Sequence, residues 1–252
     1  MKQKLSAVSL ALALIGLSEN AFSHEHATGH HGGIQSATAS KVTPAFDIVH
    51  TKLTTEGNIA IFHIAVAGKA GTSKPTKSGK LAGSAVFSYV WPTSMDPSVV
   101  GFEEKSGILA FAVTSHPDFD DTPLFDENGD GNPNNDGGIW HSHWVVLKPD
   151  AACGKDALKV VDIAEGTKPK LPKTWPGLPI LIDSPGWSPT IKDKSIIVRV
   201  PFDEIGVVTA ASFDGVTAAL RVNESVHSPL LCVADVFKVA SGNLTLPGKV
   251  NQ

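Results

Sequence analysis

Seventeen prolines and 23 glycines in 252 residues break the chain so often that no apolar stripe of 3.6-residue period survives with its caps. That excludes a helical bundle, because each proline removes a helical hydrogen bond and pushes its predecessor toward extended backbone. What lies between the breaks is short, rich in Val, Ile, Phe and Trp, and in places alternating, as strands are. Residues 46–53 alternate, Glu56-Gly57-Asn58 makes a turn and 59–66 follow as a second apolar segment, which together read as a hairpin. Further strands are expected over 84–91, 108–114, 138–148, 158–163, 194–201, 207–212, 216–222 and 230–239. About ten short strands in one chain predict a mostly β fold, either an antiparallel β-sandwich or a distorted barrel with long loops. The proline-rich stretch 167–179 reads as an extended loop inside a single β domain over 43–252.

The first 23 residues read as an address. Lys2 and Lys4 precede an apolar run over 5–17, and Ala21 and Ser23 supply small residues at a cleavage site, the pattern of a secretory signal peptide. The run is about thirteen residues, short of the ~20 that span a bilayer as a helix, and no later segment reaches that length, so no transmembrane segment is expected. The expected location is the periplasm, the medium or the cell surface. There, Cys153 and Cys232, the two cysteines of the chain, are expected to form a disulfide. With 21 basic against 25 acidic residues and no Lys/Arg stripe, the chain lacks the concentrated positive potential that nucleic acid requires.

Ten histidines then ask for an explanation. In Gly138-Ile-Trp-His-Ser-His-Trp-Val-Val-Leu147, strand alternation puts His141, His143, Val145 and Leu147 on one face and Trp140, Ser142, Trp144 and Val146 on the other. Two imidazoles at i and i+2 can converge on one ion, and neutral imidazole suits copper or zinc. His63, among the apolar residues of 59–66, is the expected third ligand from another strand. His50, His116 and His227 are expected at the surface or behind the ligands. Residues 24–42 read as a flexible histidine-rich arm. Cleavage after Ser23 would expose His24-Glu25-His26, whose amine, amides and His24 or His26 imidazole can chelate Cu(II) or Ni(II), with His30 and His31 extending the tract.

At these residues the chain resembles the MopE/CorA copper proteins of methanotroph surfaces. The likeness lies in the apolar strand carrying His63, the Trp140-His141-Ser142-His143-Trp144 strand, an intervening Asp/Asn loop and a downstream Pro/Trp-rich segment, over roughly residues 43–240. The resemblance implies a copper-scavenging protein with a mononuclear Cu(I) site, built from two histidines on separate strands and a tryptophan oxidised to kynurenine. His63 and one of His141 or His143 match the histidines. The family's tryptophan lies two residues before the first histidine, where this chain has Ile61, so the extra histidine of the pair is the candidate for that place. Trp91, Trp140 and Trp144 read as core aromatics.

Asp126-Glu-Asn128-Gly-Asp130-Gly131-Asn132 matches the first half of a calcium loop, with Asp126, Asn128, Asp130, Asn132 and Asp136 as expected oxygen ligands. Gly137 stands where such a loop carries its bidentate Glu. Nucleophile-elbow, HExxH, dinucleotide and phosphate-loop motifs are missing. The reading is therefore an exported protein that binds copper for acquisition or storage. The alternatives are a zinc-dependent hydratase or hydrolase with a three-histidine site, and a structural surface β-protein stabilised by calcium. Intact mass spectrometry of the exported protein is expected to show a chain starting at His24, lighter by two hydrogens for the Cys153–Cys232 bridge; a chain starting elsewhere removes the terminal chelate.

Overall fold

A computed structural model describes residues 32–76, 81–117, 126, 128–133, 136, 138–224 and 229–252. Its strands in chain order are β1 (Ile34–Gln35), β2 (Ile48–Glu56), β3 (Ile59–Val66), β4 (Ala85–Pro92), β5 (Ile108–Ser115), β6 (His141–Pro149) and β7 (Leu158–Val160). These are followed by β8 (Ile182–Asp183), β9 (Thr190–Lys192), β10 (Ser195–Pro201), β11 (Ser212–Phe213), β12 (Val216–Val222), β13 (Leu231–Val239) and β14 (Gly248–Lys249). All pairings between them are antiparallel. Strands β5, β4, β12, β13, β7 and β6 follow one another in a sheet, and β6 pairs back onto β5, which closes a six-stranded barrel. A second sheet, in the order β1-β2-β3-β10-β9, packs against that barrel. Both expected architectures are therefore present, a barrel with a sheet layered on it.

Alternation within the strands explains the layering. On β4, β5 and β6 the residues Tyr89, Trp91, Leu109, Phe111, Val113, Trp144 and Val146 face away from the barrel axis. They meet Leu53, Phe62, Ile64, Ile196 and Val198 of the second sheet in one continuous core. Phe62 sits at its centre, with ring centroids 4.7 Å from Phe111, 5.6 Å from Trp91 and 5.9 Å from Trp144. Removing such a ring costs about 3–5 kcal/mol, since the neighbours cannot collapse into the space. The intervening residues Val86, Val90, Ala110, Ala112, Val145 and Leu147 line the barrel interior as a separate cluster.

Most expected strands lie where the pattern put them, and the 46–66 hairpin turns at Gly57 with φ +58°. Residues 207–212 differ. Ile205–Thr209 is a short α-helix that drops Val208 into the interlayer core, a tertiary contact that overrides the β-branched preference of Val207 and Val208. Residues 32–42, expected to belong to a flexible arm, are tied to the body. Ile34 and Gln35 pair with Thr51 and His50, the Ala39 amide donates to Asp47 Oδ2 at 2.8 Å, and Lys238 Nζ donates to the Ala37 carbonyl at 2.6 Å. Gly33 makes the docking possible: at φ +75° it lies so close to β2 that a Cβ would sit 2.3 Å from the Thr51 carbonyl oxygen. Cys153 and Cys232 are joined, as expected, with Cα atoms 5.3 Å apart.

One buried acid stands out. Asp183 lies opposite Trp144 in the β8–β6 pairing, is 5% exposed, and its Oδ1 has no hydrogen-bond partner. Burial pushes its carboxyl up to about 7, against a bond from the Ser184 amide that acts the other way. The folded state thus favours the neutral acid more than the unfolded chain does. Its contribution is full below the ordinary carboxylate range near pH 4 and is lost as pH rises through 7. Asp183→Asn is expected to match the wild type in urea unfolding at pH 4 and to exceed it at pH 8, by on the order of 3 kcal/mol. Equal stability at pH 8 would show an ionised, accommodated carboxylate.

Candidate metal centre

The β5–β6 register places Ala112 opposite His143 and Thr114 opposite His141. Inward-facing positions on β5 recur every second residue, so the row Ala110, Ala112, Thr114 continues to His116, just beyond the strand and diagonal to His141. Three imidazoles thereby share one rim of the barrel, where β5 ends and β6 begins. Ring centroids are 4.9 Å apart for His116 and His141, and 4.8 Å for His141 and His143. One ligand nitrogen from each of the three lies within 4.8 Å of the others, and among the described residues no other group of three or more His, Cys, Asp or Glu does this.

Neighbouring groups hold the rings. His143 Nδ1 is hydrogen-bonded to Ser184 Oγ at 2.8 Å, and Ser184 is carried to that point by β8 lying alongside β6. His141 Nε2 lies 3.2 Å from Thr114 Oγ1 and 3.1 Å from His116 Nε2, a contact in which one ring donates and the other accepts. A cation can take the place of that shared proton. The backbone of His116 is fixed in turn, its carbonyl accepting from the Gly138 amide at 2.9 Å, so the return of the chain toward β6 is tied to the end of β5. His141 and His143 are buried and His116 is half-buried. No carboxylate or thiolate belongs to the group.

His141 and His143 therefore come together as expected, but the third histidine does not. His63 lies on β3 in the other sheet, opposite Lys52 and Ile197, with its ring 5.7 Å from that of His50 and its Nε2 3.3 Å from Ser195 Oγ. The physical reason is alternation: Phe62 and Ile64 take the face of β3 that meets the barrel, so His63 points away from it. His116, expected at the surface or behind the ligands, occupies the place foreseen for His63. The sequence signal for it was its even spacing from Ala112 and Thr114, which becomes legible only with the β5–β6 register. Ser184 carried no signal at all, since it only follows a two-residue strand.

His24 and His26 lie outside the described residues. In the acidic loop, side-chain oxygens cap backbone amides: Asp126 Oδ1 and Asn128 Oδ1 accept from the Asp130 amide at 3.0 and 2.8 Å. Asp126 Oδ2 accepts from Gly131 at 2.7 Å and Asp130 Oδ1 from Asn132 at 2.9 Å. Asp136 is buried nearer the start of β6. The carboxylates of Asp126, Asp130 and Asp136 do not gather into one group as the three imidazoles do. In comparisons with known proteins, no protein-family model matches this chain, and no curated protein or solved structure matches it.

Proposed function

We propose that this is an exported copper-binding protein that holds one Cu(I) through His116, His141 and His143, for acquisition or storage of the metal. The observation that carries the reading is the convergence of three imidazoles from two paired strands at a largely buried rim. Charge decides which ion suits them. Three neutral ligands leave the whole charge of the ion uncompensated, and the Born cost of burial grows with its square, about fourfold larger for a divalent than for a monovalent ion. Copper(I) is the monovalent ion that imidazole binds well. Sulfur ligands are not at hand: both cysteines are in the disulfide and Met95 is buried in the interlayer core. Copper is also what the likeness to the methanotroph proteins implies, with His116 in the role assigned there to His63.

The disulfide supports export to an oxidising compartment. A zinc hydratase is the second reading, supported by the cavity onto which His116 and His143 face, because zinc in this neutral set would recruit an ionised water from that side. Elemental analysis of protein purified from its own compartment separates the two by naming the metal. His116→Ala, His141→Ala and His143→Ala are each expected to weaken binding by more than about 100-fold and Ser184→Ala by about tenfold, whereas His63→Ala retains full stoichiometry. Loss of metal in His63→Ala with the fold intact, or its retention in His116→Ala, would sink this ligand set.

A further inference from the structure

The barrel interior is built to stay open. A barrel of this few strands is ordinarily filled by its own side chains, yet β4, β5 and β12 turn all their large rings outward and place Val86, Val90, Ala112, Val216 and Ala218 on the inner wall. A cavity of about 190 Å³ remains. None of the described residues around it is Asp, Glu, Lys or Arg. Its polar side chains are hydroxyls and imidazoles: Thr114, Ser184, His116 and His143 reach it at the histidine rim, Ser88 lies opposite Thr114 in the β4–β5 pairing, and Ser84 just precedes β4. Of three exposed large hydrophobic side chains among the described residues, two, Val236 and Leu244, also border it and give it an apolar lip.

We infer that the barrel is a binding site for a small neutral amphiphile, a phenol or short alkyl alcohol of about six to ten non-hydrogen atoms, the size range set by an apolar cavity of ~150 Å³ that accommodates benzene. Its hydrocarbon part fills the wall of Val and Ala, and its hydroxyl turns to the rim. In the metal-free protein a charged ligand is refused because no Asp, Glu, Lys or Arg among the described residues of the wall can compensate a buried charge. An open polar substrate is refused because a single end of the cavity offers hydrogen bonds. The site stands on the shape and chemistry of the interior and does not depend on which ion the histidines hold.

The test is titration of the full mature protein, metal-free and metal-loaded, with 4-ethylphenol and 1-heptanol, with glycerol and 4-ethylbenzoate as polar and charged controls, followed by methyl-resolved NMR. One molecule per chain is expected to bind in both metal states, with shifts concentrated on the methyls of Val86, Val90, Val145 and Val216, and neither control should bind the metal-free protein. Ala218→Leu fills the interior and is expected to weaken binding by at least about tenfold with no loss of thermal stability. Ala112→Leu, on β5 at the other side of β4, serves the same end should the first variant fold poorly. Absence of saturable binding overturns the proposal, as do shifts centred on interlayer methyls such as Ile64 and Val198, or unchanged affinity in the folded filling variants. Because the metal-free titration is read without any ion, its failure and a failure of the histidine site are separate results.

Discussion

The two-residue period of β5 and β6 governs both halves of this molecule at once. The face of β6 that buries Trp144 and Val146 against the second sheet forces His141 and His143 onto the opposite face, and on β5 the burial of Phe111 and Val113 does the same for Thr114 and, by extension, His116. A slip of β6 by one residue would expel two imidazoles from the rim and drive an indole into the barrel. What prevents it is bonding on both edges: β5 pairs along one side of β6, while β7 and β8 share the other. The interlayer aromatics, several kcal/mol each by burial, are therefore the anchor of the histidine geometry although none of them touches the rim from inside.

That dependence also explains what could be read from the residues alone. The pairing of His141 with His143 needs only the strand period, and the cysteine bridge needs only that two cysteines stand in a chain expected to be exported. His116 needs the register between strands joined by a long connection, a non-local fact that no window of sequence holds. His63 shows the complementary failure. Residues 59–66 are apolar on both faces although Ile59 and Ile61, on the face of His63, are only half-buried, so the pattern could say which residues share a face with His63 but not which face meets the barrel. The helix over Ile205–Thr209 fails for a third reason, since the burial of Val208 in the interlayer core outweighs local preference.

A barrel with an open interior carries a cost that has to be met elsewhere. At ~24 cal/mol per Å³, leaving about 190 Å³ unfilled forgoes roughly 4–5 kcal/mol of packing. The barrel is also closed by a narrow seam, because β7 has three residues and meets β13 at the single pair Cys232 and Lys159. Two features lie across that seam. Lys159 is held by Asp150 at 2.9 Å and Asp162 at 3.3 Å, and Asp162 Oδ1 accepts from the Leu230 amide beside β13 at 3.1 Å. The disulfide runs from the turn before β7 to β13, closing a separation of 79 residues, and in the chain-entropy model such a loop is worth about 4 kcal/mol. That is the same size as the packing the cavity forgoes. The covalent bond is thus placed where hydrogen bonding is thinnest, and it keeps closed the wall that an unfilled interior cannot brace from within.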